Sequence, residues 1–133
     1  MKNRNKKEGQ KMRLILLNGE FAVCKLGSLM EIDFKADFVF FAKTDDELSL
    51  VCQADKVPKD AIATEADWKA LKIEGVLDFS LTGVISAISS ALAESKIPVF
   101  VVSTYNTDYV LVKKAYLISA LAALRKIGCS IVE

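Results

Sequence analysis

Two short polar joints hold most of the reactive or ligand-binding groups in this chain. The first is Leu77-Asp78-Phe79-Ser80-Leu81-Thr82-Gly83-Val84; the second is Ser103-Thr104-Tyr105-Asn106-Thr107-Asp108. Each gathers hydroxyls and a carboxylate within a few residues, while the flanking segments are apolar. At the first joint the pattern changes from strand to helix. The opening amides of a helix lack internal acceptors and the peptide dipoles add partial positive charge, which favours an anionic group such as an α-carboxylate. Gly83 would let a ligand approach the backbone with no β-carbon in the way. Ser80 or Thr82 either caps the helix or offers its hydroxyl to a ligand, and capping is the ordinary use of these residues. Asp78 could accept from an ammonium group.

Several reaction classes are excluded by what the chain lacks. There is no histidine, so Ser-His-Asp and Cys-His nucleophilic catalysis have no imidazole base. Neither a GxGxxG nor a GxxxxGK[ST] phosphate loop is present, and no cofactor is expected. Cys24, Cys52 and Cys129 form no CxxC pair, which argues against a metal site. Each sits in an apolar, strand-like run, as buried thiols of a reducing compartment do. A carboxylate-based enzyme could be built only on Asp78 and Asp108, and solvated turn acids are the commoner use of such residues. The chain reads as a non-enzyme.

The elements that must position these joints follow from periodicity. Ile97–Val102 and Asp108–Val112 are dense in β-branched and aromatic residues between turn formers, the mark of strands. Thr82 to Lys96 carries Val84, Ile85, Ile88 and Leu92 at helical spacing, with Ala87 and Ala91 on the same side. Tyr116 to Ile127 repeats the pattern with Leu117, Leu121 and Leu124, and Gly128 is placed to end that helix in a left-handed conformation. A strand near Trp68 and another at Cys129–Val132 complete the order βαββαβ, an α+β, ferredoxin-like arrangement. Val99–Val102 and Tyr109–Val112 are apolar on both faces, so the face of the sheet away from the helices must also be covered.

The first half reads differently. Asn18-Gly19 between Leu14–Leu17 and Phe21–Leu26 is a strong hairpin signal. A second tight turn, Thr44-Asp45-Asp46-Glu47, separates Phe38–Lys43 from Leu48–Cys52. Gly27 to Asp37 is too short for a full helix with two loops, so this half is expected to be mostly strand. Lys56 to Ala66 reads as a linker, with a brief helical turn at Thr64–Trp68. The expected organisation is a basic, disordered tail over 1–12, a first half over 13–60 and a complete βαββαβ domain over 61–133.

Asp67–Gly75, Leu77–Val84 and Ser103–Val112 resemble the ACT domain family, in particular small proteins with two ACT-like halves related to CASTOR-type arginine sensors and aspartate kinase regulatory domains. Leu14–Leu26 and Thr44–Cys52 resemble the first half of such proteins, there as a degenerate ACT-like unit, so the likeness runs from about Arg13 onward. It implies a regulatory protein that binds an amino acid at the strand–helix joint, against a partner unit. It also implies that Asp78, Phe79, Ser80, Leu81, Thr82, Gly83 and Val84 form one wall, with Thr104, Tyr105 and Asp108 beside them. Asp108 would take a cationic side chain, a carboxylate being a good partner for guanidinium or ammonium; as a plain turn acid it would do neither. Tyr105 lines the site or simply packs. The resemblance further suggests a homodimer.

Charge is nearly balanced overall, at +1, but unevenly placed. Residues 1–13 carry six basic side chains against Glu8, and the other 120 residues hold 12 basic and 16 acidic groups. With no aromatic in the basic stretch and no basic patch elsewhere, nucleic acid is not an expected partner. At 52% hydrophobic residues and a mean hydropathy of +0.28, the chain has ample apolar surface for a core. No apolar run approaches the ~18 residues that span a bilayer, and no secretory signal is visible, so a cytoplasmic location without membrane association is expected. Two functions compete: an amino-acid sensor, and an assembly module with the same fold but no working ligand site.

Overall fold

The computed structural model describes residues 12–74 and 81–133, with Leu81 and Thr82 entering only through the helix they begin. The basic tail, apart from Met12, and the Asp78-Phe79-Ser80 stretch of the first joint lie outside the described residues. The elements are β1 (Arg13–Leu16), β2 (Phe21–Leu26), β3 (Val39–Lys43), β4 (Leu48–Gln53), β5 (Ala61–Glu74), α1 (Leu81–Glu94), β6 (Val99–Ser103), β7 (Asp108–Lys113), α2 (Leu117–Lys126) and β8 (Ser130–Val132). Short 3₁₀ turns follow β4 at Ala54–Lys56 and β7 at Lys114–Tyr116. The order β5-α1-β6-β7-α2-β8 is the expected βαββαβ.

The chain divides into two compact units, Asn18–Lys69 and a second formed by Ala70–Glu133 together with the N-terminal residues through Leu17. β1 belongs with the second unit, and the chain passes from one unit to the other inside β5.

In the Asn18–Lys69 unit, the strands run β3-β4-β2-β5. β2 lies antiparallel to β4, from Phe21↔Gln53 to Leu26↔Leu48, and β3 lies antiparallel to β4, from Val39↔Cys52 to Lys43↔Leu48. On one face Ala22, Cys24, Leu26, Leu50 and Cys52 form a core, with Ile32 and Val57 packed against it. On the other, Phe38 stacks obliquely on both Phe21 and Phe40 at 4.5 Å between centroids. Residues 27–37 contain turns and no helix, as their length required. The helical turn expected at Thr64–Trp68 is strand instead. Its pairing with β2 skips a residue between Val23↔Glu65 and Phe21↔Trp68, and Asp67 there has φ +67°. A β-bulge with an acidic residue in the left-handed region accounts for both observations. The linker is correspondingly shorter than Lys56–Ala66.

In the second unit the strands run β6-β7-β5-β1-β8. β1 is antiparallel to β5, from Arg13↔Glu74 to Leu16↔Leu71, and parallel to β8. The hairpin expected between β1 and β2 is therefore absent: β1 takes its partners from β5 and β8, and Asn18-Gly19, with Gly19 at φ +84°, only turns the chain. A five-strand sheet results, in which β1 is inserted between the first and last strands of the βαββαβ. Leu71, Ile73, Val84, Ile88, Leu92, Val110, Val112, Leu121 and Leu124 pack into one core with Leu14. Alternation puts Leu111 on the other face of β7, and it too is fully buried, as the two-sided apolar pattern required. Both helices end alike. Ile97 N–H donates to Leu92 O at 2.9 Å and Cys129 N–H to Leu124 O at 3.0 Å, with Lys96 (φ +60°) and Gly128 (φ +100°) in the left-handed position before each. This is the Schellman closure, and it satisfies carbonyls the last turn would leave bare.

The two units repeat one element. The hairpin β3-turn-β4 with its 3₁₀ turn and the hairpin β6-turn-β7 with its own are built to the same plan, element for element. Thr44 N–H donates to Glu47 O at 3.0 Å, and Thr104 N–H donates to Thr107 O at 2.7 Å. The Thr44 hydroxyl accepts Glu47 N–H and the Thr104 hydroxyl accepts Thr107 N–H, both at 3.2 Å. Burial along β4 and β7 follows one sequence, half-buried, then three buried residues, then half-buried.

Candidate functional site

The candidate site is built from the end of β5, the start of α1 and the β6–β7 turn, all within the second unit. β5 delivers Ile73 and Glu74 to its end because Leu71 and Ile73 alternate into the core. α1 then opens at Leu81, held down by Val84, Ile88 and Leu92 at helical spacing. No acidic residue lies in its first turn, so nothing in that turn answers the positive end of the helix.

The β6–β7 turn is tied to the end of β5. The Thr107 hydroxyl donates to Ile73 O, linking the turn to the last residues of β5. Within the turn, the Thr104 hydroxyl donates to Thr107 O at 3.0 Å while accepting Thr107 N–H, so it closes the turn. Ser103 donates its hydroxyl to Asp108 Oδ1. Asp108 is half-buried, and Tyr105 stands fully exposed at the tip.

Of the residues singled out from sequence, Asp78, Phe79 and Ser80 lie outside the described residues, and Leu81 and Thr82 are in the first turn of α1. Gly83 follows them, exposed, at a backbone angle any residue can adopt; a β-carbon there would meet nothing within 4 Å among the described residues. Val84 points its side chain into the core, so it can offer a ligand only its backbone. Ser103 and Thr107 were not singled out individually. Their signal was the hydroxyl content of the turn, four Ser/Thr-type or acidic side chains in six residues from Ser103 to Asp108. A cleft of about 260 Å³ opens in the Asn18–Lys69 unit, lined by Asn18, Gly19, Glu20, Gln53, Ala54 and Asp55. It carries no nucleophile or ligand set, and Lys69 Nζ donates to the Gly19 carbonyl at 2.6 Å beside it.

The cysteines are all buried and unpaired by disulfides. Burial pushes the Cys52 thiol up to about 12, with the neighbouring Cys24 adding to the effect, and burial alone pushes Cys129 up to about 11. Protonated, enclosed thiols are poor nucleophiles and poor metal ligands. Among the described residues, no group of three or more His, Cys, Asp or Glu could hold a metal ion, and no helix is long and apolar enough to cross a membrane.

A ferredoxin-like βαββαβ sheet with two helices packed against it is the architecture of an ACT domain. Residues 63–126 match the family model for the ACT domain, and residues 19–60 match a separate model described only as an N-terminal domain. A solved protein of Agrobacterium tumefaciens is 34% identical, with 92% of each chain covered and a TM-score of 0.81. Over residues 63–126 the chain carries an ACT domain, the match covering just under half of its length. A protein of unknown function from Vibrio cholerae, described as a possible transport protein, is 24% identical, with 88% of this chain and 90% of that one covered and a TM-score of 0.69. The regulatory subunit of aspartate kinase from Thermus thermophilus, in its ligand-free form, shares 12% identity over 85% of this chain and 95% of its own, at a TM-score of 0.60. These last two likenesses are of fold.

Proposed function

We propose that this chain is a regulatory, non-catalytic protein that binds a small amino acid where β5 hands over to α1, and that it works as a cytoplasmic homodimer. The observation that carries this is Gly83. Glycine in a helix costs about 0.5–1 kcal/mol relative to alanine. Gly83 has no positive φ to require it and, among the described residues, no neighbour that a methyl group would strike. Close backbone approach by a ligand gives this glycine a purpose. A ligand carboxylate would take the first-turn amides of α1, a turn that itself holds no acidic residue. The Thr107–Ile73 hydrogen bond supports a location beside the β6–β7 turn, with Asp108 available to an ammonium or guanidinium. The ligand then acts through its differential affinity for two arrangements of the protein, which a partner reads.

The competing function is an assembly module without a ligand. The internal partners of Thr104 and Asp108 favour it, because those groups already have bonds that a ligand would have to replace. A melting-temperature screen against each standard amino acid, run on the parent and on Asp108→Ala, separates the two. Stabilisation of the parent by arginine or lysine, lost in Asp108→Ala, supports a cationic ligand held by Asp108. Equal shifts in both proteins reject that role for Asp108. No shift with any amino acid rejects the sensor and leaves the assembly module.

A further inference from the structure

The Asn18–Lys69 unit carries a surface that the amino-acid site does not use. Loop 27–37 lays Ile32 against the core of Ala22, Cys24, Leu26, Leu50 and Cys52, and leaves Leu29, Met30 and Phe34 exposed. Met30 is 86% exposed and Phe34 62%. Ile62, 63% exposed at the start of β5, belongs to the same surface. There Ser28 donates its hydroxyl to Asp60 Oδ2 at 2.9 Å, and a β-carbon at Gly27 would lie 3.6 Å from the Ile62 side chain. Phe34 extends the surface to β3 through an edge-on contact with Phe41, 6.5 Å between centroids. Single exposed apolar residues are ordinary, but several gathered on one loop and its neighbour mark a contact site.

Charge says what kind of partner fits. Residues 18–69 hold 11 acidic and 6 basic side chains, a net of −5 in a chain whose total is +1. Within the loop, Asp33 pairs with Lys56 Nζ at 3.4 Å, while Glu31 and Asp37 have no ion-pair partner among the described residues. A second copy docked patch to patch would bring these acids together, which is unfavourable. The basic residues 1–11 of the chain would answer the charge, but Met1 is their one large apolar side chain, too little to cover Met30 and Phe34. The loop backbone is turned in on itself, with Ile32 N–H donating to Leu29 O at 3.3 Å and Ala36 N–H to Asp33 O at 3.2 Å. It therefore offers side chains rather than a free strand edge, which suits the apolar stripe of a helix.

We infer that the surface of Leu29, Met30, Phe34 and Ile62 docks a basic, amphipathic helix of a different protein. Apolar side chains of that helix cover Met30 and Phe34, and lysines or arginines at its margins meet Glu31 and Asp37. The flexible thioether of Met30 lets the surface adapt to the helix that it receives. The inference stands whether or not an amino acid binds where β5 hands over to α1.

The test titrates the full chain into a labelled helical peptide with leucines on one face and lysines on the other, read by fluorescence anisotropy. Two controls replace its leucines with serine or its lysines with glutamate, and each should bind at least about 10-fold more weakly than the parent peptide. The double variant Met30→Ser with Phe34→Ser should weaken binding by about 10-fold or more, with far-UV circular dichroism and melting temperature unchanged. Met30→Ser alone, at the most exposed of these side chains, should move binding in the same direction. Glu31→Lys with Asp37→Lys should also weaken it and reduce its dependence on salt. Equal binding of the serine control overturns the proposal, as does a double variant that binds as the parent does. So does recruitment to phosphatidylglycerol vesicles, or self-association, that the same double variant abolishes, because the occupant is then a membrane or a second copy.

Discussion

Replacing Gly83 with alanine should pull stability and ligand binding in opposite directions. The position lies in the first turn of α1, exposed, with nothing among the described residues within 4 Å of an added methyl group. The substitution removes backbone freedom from the unfolded chain and adds no clash, so it should stabilise the ligand-free protein by about 0.5–1 kcal/mol. For a chain of 133 residues, an unfolding entropy of about 2.1 cal/mol/K per residue makes 1 kcal/mol worth roughly 3–4 °C, so Tm should rise by about 2–4 °C. The bound state should respond the other way. A ligand present at 100 times its Kd stabilises its host by about 2.7 kcal/mol, or about 10 °C on the same scale. If the ligand rests on the backbone at Gly83, the methyl group removes most of that shift. Differential scanning fluorimetry, with and without the amino acid found in the screen, measures both effects. A ligand-free Gly83→Ala protein that melts below the parent would show that the fold itself needs the glycine. Equal ligand shifts in parent and variant would show that the ligand does not approach it.

Other consequences can be checked alongside. Thr107→Val keeps the shape of the side chain but leaves Ile73 O without its donor, and should cost about 1–3 kcal/mol in chemical denaturation. Thr107→Ser should recover most of that loss, and a Thr107→Val protein within 0.5 kcal/mol of the parent would sink the argument, since ~0.5 kcal/mol is the smallest net hydrogen bond expected. Lys96→Gly should raise stability by about 1 kcal/mol, because a lysine now occupies the left-handed closing position that glycine takes without strain at position 128. Stability should fall as pH rises above about 9 towards 11–12. Unfolded thiols ionise near 9, whereas Cys52 and Cys129 hold their protons to about 12 and about 11 when folded, so the unfolded state binds fewer protons across that window. Urea melts at increasing pH should show a gentler decline for Cys129→Ala than for the parent.

The sequence disclosed what depends on neighbours along the chain. The spacing of Val84, Ile88 and Leu92 marked α1, the β-branched run at 97–102 marked β6, and Gly128 took the left-handed role its position after Leu124 suggested. The turn at Thr44–Glu47 joined the strands it appeared to join. Choices among distant partners were not legible. Asn18-Gly19 is as good a hairpin turn as any by local chemistry, yet β1 pairs with β5 and β8, because burying Leu14 beside Leu71 and Ile131 is a tertiary gain that no local pattern encodes. Thr64–Trp68 misled for a related reason. Its Glu, Ala and Trp suit a helix in isolation, and pairing with β2 overrides that preference at the cost of a bulge. At the candidate site, residue types announced hydroxyl and carboxylate chemistry, but not that Thr104 would be absorbed in closing its own turn.

The two look-alike hairpins have a consequence for how the chain reaches its native state. Each is local, so each can assemble early and independently. A polypeptide holding near-copies of one element also risks exchange between molecules during refolding, when the hairpin of one chain docks where its own counterpart belongs. Divergence between Leu48-Ser49-Leu50-Val51-Cys52 and Asp108-Tyr109-Val110-Leu111-Val112 is the natural safeguard. Making the first segment match the second should leave the native fold intact while lowering the yield of refolding at high protein concentration.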